Sequence, residues 1–217
     1  MPVVKTITWT HDARRAFRKL PPDVRAEIGA KIERFAKTGA GNVKRLTGRP
    51  GARLRVGDWR VIFVETATTV EVRAVGNRRD IYKRRKSHMG KSQIIHTDGE
   101  DLVVIARSDY EALLACAGDE ASEDAMTARI LAATDAKIAR GEDVALPAAV
   151  WAAIESGEHP IRAIRKYRAL TQIDVAEQAG LRQGYIADIE AGKKTGSAAS
   201  LKAIAAALGV PLDVIVG

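Results

Sequence analysis

The period of the apolar positions changes several times along the chain, and each change marks an element. Residues 3–9, VVKTITW, are rich in β-branched side chains and predict a strand. A helix is expected over about residues 12–20. Pro21-Pro22 separates it from a second, about 23–37, in which Val24, Ile28, Ile32 and Phe35 recur at helical spacing. Gly39, Gly41, Gly48, Pro50 and Gly51 then mark loops. Next the period becomes two: Leu54 and Val56, Val61 and Phe63, Val70 and Val72 alternate with other residues, with turns at Gly57-Asp58 and Ala67-Thr68. This β-α-α-β-β-β order predicts one helical layer on an antiparallel sheet.

Past Ser87-His88-Met89-Gly90 the pattern changes. Residues 93–105 read as a hairpin turning at Asp98-Gly99. Ser108-Asp109-Tyr110-Glu111 looks like a capping box opening a helix to about residue 117. A longer helix is expected over about 122–140, ending at Gly141, with Met126, Ile130, Leu131 and Ile138 as an apolar stripe. Pro147 suits the first turn of a short helix ending near Ser156. Residues 161–216 then show five short helical segments. The first, 162–170, carries Ile161, Ile164 and Tyr167 at spacings of three. The second, Gln172–Ala179, is capped by Thr171 with Asp174 three residues on, and ends at Gly180 with Leu181 turned inward. The third, Gln183–Glu190, directs Ile186 and Ile189 to the core; 200–208 and Leu212–Val216 complete the set. The expectation is an α+β chain: an antiparallel sheet with two helices (1–88), a hairpin-and-helix segment (89–158) and an all-α domain (159–217).

Composition adds exclusions. The 217 residues are 46% hydrophobic and 29% charged, as in ordinary soluble proteins. No run of about 18 apolar residues predicts a membrane span, and Lys5, Asp12, Arg14 and Arg15 interrupt any leader-like core. The lone Cys116 cannot form an internal disulfide, which favours a reducing cytoplasm. His11, His88, His96 and His159 lack ligand spacing, so neither a metal nor another cofactor is expected.

Charge distribution says more than net charge. Residues 1–88 hold 22 Lys and Arg against 8 Asp and Glu, a net of +14; residues 89–158 hold 5 against 14, a net of −9. A small domain at that positive charge repels itself and suits a polyanion, most often nucleic acid. The acidic segment beside it is suited to covering that surface and competing with the polyanion.

Two sets of residues carry candidate chemistry. In the C-terminal set, Thr171 and Gln172 begin a helix where backbone N–H groups can meet phosphate. Gln183 can read adenine in the major groove, and Arg182 can read guanine or phosphate. Tyr185 is displayed on the same helix, and Lys193 and Lys194 follow it, placed for the DNA backbone. The stretch RKYRALTQIDVAEQAGLRQGYIADIEAGKKTGSAASLKAIAAALGV resembles the Xre (phage-repressor-like) helix-turn-helix family over nearly its whole length, which implies operator DNA as partner. Because a monomer reads only a half-site, a homodimer is expected.

In the N-terminal set no Ser-His-Asp group, carboxylate pair or glycine-rich phosphate loop occurs. Instead Arg53 and Arg55 share one strand face, Arg60 lies in the next strand, and Arg78, Arg79 and Tyr82 follow the last. Guanidinium groups neutralise phosphate and stabilise charge on an attacked phosphodiester. RLRVGDWRVIF followed by VEVRAVGNRRDIYKR resembles the RelE/ParE toxin superfamily, over about residues 3–86. In the RelE branch the resemblance implies cleavage of mRNA in the ribosomal A site, with Arg53, Arg55, Arg60, Arg78 and Tyr82 as the catalytic set and Lys44 and Arg79 as supporting RNA contacts. The ParE branch shares the fold but inhibits DNA gyrase. GEDLVVIARSDYEALL is similar to the start of Xre-class antitoxins, and toxin followed by antitoxin is the order of HigBA-like pairs. The expected toxin–antitoxin contact is between 1–88 and 89–158, in cis or in trans, with Ser87-His88-Met89 as a natural fusion point or a cloning join. A transcription regulator with an inactive toxin fold, a gyrase inhibitor and a non-catalytic RNA-binding domain stay open as alternatives.

Overall fold

The computed structural model describes residues 4–82, 93–97 and 100–216. The basic cluster 83–86, the junction 87–90 and the turn at Asp98-Gly99 lie outside the described residues.

The chain opens with β1 (Thr6–Thr10), α1 (His11–Arg18) and α2 (Pro22–Thr38). Thr10 caps α1 by accepting from the Ala13 backbone, and Gly39 ends α2 at φ 72°, a left-handed conformation that suits glycine. Four strands follow: β2 (Val43–Arg45), β3 (Ala52–Val56), β4 (Trp59–Glu65) and β5 (Thr69–Asn77). The first of them falls in a stretch read from sequence as loop. A short helix, α3 (Arg78–Ile81), is capped by Asn77. β1 inserts beside β5 in parallel, whereas the remaining pairs of the sheet are antiparallel. The register skips Arg73 opposite the Ile62–Phe63 step, a bulge that lets β5 keep Val72 and Val75 on the core side.

Strand periodicity divides the side chains between two faces. Ala52, Leu54, Val56, Val61, Phe63, Val70 and Val72 pack under α1 and α2, against Ile28, Ile32 and Phe35. Arg53, Arg55, Arg60 and Ile62 point to the opposite face.

That second face is covered by the acidic segment. A free hairpin of β6 (Gln93–His96) and β7 (Asp101–Val104) leads into α4 (Arg107–Ala117) and α5 (Glu120–Ala139). The Ser108–Glu111 capping box is not formed; Ala106 is the cap residue and no side chain caps α4. Helix α5 begins at Glu120, two residues before the expected start at Ser122, because the Asp119 carboxylate accepts from the Ser122 N–H at 2.8 Å. Met126 and Leu131 of α5 join Ile62, Tyr82 and Leu46 in a second core.

A three-residue strand, β8 (Ala145–Pro147), then extends the large sheet by pairing antiparallel with β1, giving the order β2-β3-β4-β5-β1-β8. Nothing in the sequence pattern announced it, and α6 (Ala148–Glu155) starts immediately after. The C-terminal helices are α7 (Pro160–Tyr167), α8 (Gln172–Ala179), α9 (Gln183–Glu190), α10 (Ala198–Ala207) and α11 (Leu212–Val216). Ile161 and Ile164 are buried but Tyr167 is exposed, since each three-residue step falls about 60° short of a full turn and by Tyr167 has carried the side chain off the buried stripe. Leu146, Val150 and Trp151 connect the apolar core of the sheet to that of the five helices without a break.

Candidate nucleic-acid interfaces

The arginine face is assembled by two adjacent strands. Arg55 and Arg60 sit directly opposite each other, and Arg53 stands two positions along β3 on the same side. Guanidinium groups so close repel one another unless anions lie between them. The first turn of α5 supplies those anions. Glu123, fully buried, reaches Arg53 Nε at 2.9 Å, Arg55 Nη2 at 3.0 Å and Arg60 Nη2 at 3.1 Å. Glu120 lies 3.2 Å from both Arg53 and Arg55, with the Lys44 ammonium at 3.7 Å. Asp124 also pairs with Arg53, whose side chain is wholly buried. Arg60 Nη1 donates to the Gly57 and Trp59 carbonyls at 3.0 and 3.2 Å. Farther along α5, Asp135 meets Arg73 at 3.0 Å and Lys137 meets Asp12 at 2.5 Å.

The other residues expected in this set are placed unequally. Tyr82, expected in the catalytic set, is 1% exposed beneath α5. Burial, reinforced by the charge of Glu123, pushes its phenol above the usual 10.0. Arg78 is partly buried, and a Cβ on Gly118 would lie 2.8 Å from its Nη1, so the glycine leaves the guanidinium room. Arg79 is exposed on α3.

Glu123 is under two opposed influences. Burial favours its protonated form; hydrogen bonds from Arg60 and Arg55, with the charges of Arg60 and Arg53, outweigh that and hold the carboxyl below its ordinary 4.5. At the other end of the sheet the His11 ring stacks on Trp151 with centroids 5.9 Å apart. Burial, then the Arg15 charge, drive His11 below 6.5, and burial lowers His159 in the same direction. Acidification is expected to act in two windows. Below pH 6.5 the unfolded chain binds protons at His11 and His159 that the folded chain refuses, so the β8–α6 seam weakens first. The Glu123 contribution, complete above pH 4.5, fades only as pH falls on through the carboxyl's lowered value. Protection factors from hydrogen exchange should show residues 145–155 loosening at higher pH than residues 120–139.

The C-terminal interface is built by local rules. Thr171 and Asp174 form a reciprocal capping box at the start of α8, and Gly180, at φ 65°, makes the turn that sets α9 across it. Arg165 holds Glu190 through two bonds of 2.7 and 2.9 Å. Gln172 donates to Glu190 at 2.9 Å, and Gln183 donates to the Gln172 oxygen at 2.7 Å. Each bond fixes the amide that follows, and Gln183, at the end of the relay, is exposed. Arg182 is the exposed cap residue of α9. Lys194 pairs with Asp188 at 2.7 Å and lies over the Tyr185 ring, while Lys193 is exposed beside it. The Arg165–Glu190–Gln172 support was not read from sequence, because its bonded pairs stand 25 and 18 residues apart.

Among the described residues no helix is long and apolar enough to cross a membrane, and no cluster of His, Cys, Asp or Glu is placed to hold a metal ion. A chain in the crystal structure of the RelB–RelE antitoxin–toxin complex from Methanococcus jannaschii is 22% identical, with a TM-score of 0.31 over 34% of this chain and 93% of that one. The immunity repressor protein of Bacillus phage phi105 is 49% identical over 57 residues, which are 26% of this chain and 40% of the phage protein; the chain thus matches less than half of that repressor's length. Residues 161–215 match the helix-turn-helix family, and this domain supports DNA-binding transcription regulation.

Proposed function

We propose that the chain is a toxin and its antitoxin in one polypeptide: a RelE-like, ribosome-dependent mRNA endonuclease in residues 1–88, silenced by residues 89–158 and joined to an operator-binding repressor. The observation that carries this reading is Glu123, buried among Arg53, Arg55 and Arg60. Those arginines are the groups that would neutralise a phosphodiester and stabilise the charge gathering on it during attack. A carboxylate in their midst competes for the same donors. Tyr82, neutral while α5 covers it, is the proton donor nearest this cluster in the proposed set, with Arg78 as a further cation and Lys44 and Arg79 as contacts to the flanking RNA.

In this reading the chain works in the cytoplasm, on mRNA held by the ribosome and on its own operator. Thr171, Gln172, Arg182, Gln183, Tyr185, Lys193 and Lys194 meet the DNA, and no cofactor takes part. The test is expression of residues 1–88 with and without residues 89–217 supplied in trans. The first alone is expected to stop growth and to leave new mRNA ends within translated codons; the second is expected to restore growth. Intact mRNA with relaxed plasmid DNA would transfer the reading to gyrase inhibition. Intact mRNA with unchanged supercoiling and normal growth would leave a repressor carrying an inactive toxin fold.

A further inference from the structure

The hairpin of β6 and β7 stands apart from the rest of the fold. Among the described residues it forms its own two-stranded sheet, and all eight of its strand residues are exposed. Its side chains are nevertheless apolar on both faces. Ile94 lies opposite Val103 and Ile95 opposite Leu102, and successive positions point to opposite sides. Ile94, Ile95, Leu102, Val103 and Val104 keep between 41% and 60% of their surface, and α4 adds Tyr110 and Leu113 at 54% and 59%. An isolated two-stranded hairpin is marginal in water, and a strand edge of this composition is a template for another strand.

We propose that this hairpin pairs two copies of the chain, β7 against β7 across a two-fold axis, with Tyr110 and Leu113 covered by the same contact. Charge order selects the second copy as occupant. Along the chain the strip runs from acid, at Glu100 and at Asp101 beside His96, through apolar 102–104, to base at Arg107, whose side chain is 91% exposed and shares the single carboxylate of Glu111 with Arg129, leaving a net positive charge. Reversed against itself it sets acid beside base at both ends and apolar against apolar in the middle. Antiparallel self-pairing therefore satisfies charge and burial together, as an isologous interface requires. The α5–sheet contact uses none of these residues, so pairing and silencing are compatible within one chain. Two-fold pairing also puts two copies of α9 in one particle, the number an operator with two half-sites needs. Only that consequence rests on the operator reading; the pairing does not.

Sedimentation equilibrium of the full chain is expected to give the mass of two copies. Val103→Lys should give one copy with an unchanged circular dichroism spectrum. Glu100→Arg and Arg107→Glu should each raise the dimer dissociation constant at least about tenfold, because like charges then face each other across the axis. Combining the two exchanges should bring it back, a recovery that misfolding cannot produce. A wild-type chain of single mass at high concentration, a Val103→Lys dimer, or charge exchanges without mutual rescue would each overturn the proposal.

Discussion

Replacing Glu123 by alanine in the full chain is expected to release α5 from the sheet and to turn a harmless protein into one that arrests growth. Glu123 has no solvent exposure and is shared by three guanidinium groups, two of them almost completely buried. Removing one partner of a buried ion pair leaves an uncompensated charge in place of water, at a cost of about 3–5 kcal/mol. At about 1.4 kcal/mol per power of ten, the open form gains about two to four orders of magnitude in population. Glu120 is half exposed, so Glu120→Ala is expected to cost no more than about 1 kcal/mol and to leave growth unchanged. The measurements are hydrogen-exchange protection of residues 120–139 and growth on induction. Adding Arg53→Ala and Arg60→Ala to Glu123→Ala removes the repelling cations and the proposed catalytic groups together, so growth should return while α5 regains protection. Loss of protection in Glu123→Ala without any growth defect would favour a repressor with an inactive toxin fold.

The residues behind that prediction were only partly legible in the sequence. The charge imbalance was plain, and the strand period alone put Arg53 and Arg55 on one face. Which carboxylates meet them was hidden, because a helix begun at Ser122 leaves Glu120 in a loop. Asp119 was the missed signal, a cap residue that draws Glu120 and Glu123 into the first turn of α5. There the helix dipole favours negative charge as well. The burial of Tyr82 was not legible because part of its cover comes from Met126 of α5, 44 residues away in sequence. Three of the C-terminal helices, α8, α9 and α11, were read to the residue and α7 and α10 to within three, since capping boxes and left-handed glycines act within four or five positions. β8 escaped for the opposite reason. Ala145, Leu146 and Pro147 have no strand pattern of their own; the open edge of β1 gives them one.

The second large effect is expected at that edge. Trp151 is 5% exposed, donates from its indole nitrogen to the Trp9 carbonyl at 3.1 Å and stacks on His11. It packs in the stretch where the core of the sheet becomes the core of the DNA-binding helices. Truncating a buried tryptophan to alanine costs about 3–5 kcal/mol through lost contacts and the cavity left behind. Here the loss falls on a three-residue strand and an eight-residue helix, held otherwise by the pairing with β1, by buried Leu146 and Val150, and by the Arg14–Glu155 pair. Trp151→Ala is therefore expected to free residues 143–158 while leaving Ile164, Val175, Ile186 and Ile204 packed in a core of their own. Limited proteolysis should cut within 143–158 and release an intact C-terminal fragment, and the thermal transition of the full chain should split in two. Trp151→Phe keeps most of the volume but not the indole donor, so its loss should be smaller and the transition should stay single. If Trp151→Ala instead unfolds in one lowered step with the seam uncut, sheet and helices form a single cooperative unit. The C-terminal helices would then depend on the sheet for their stability, much as the arginine face depends on α5 for its cover.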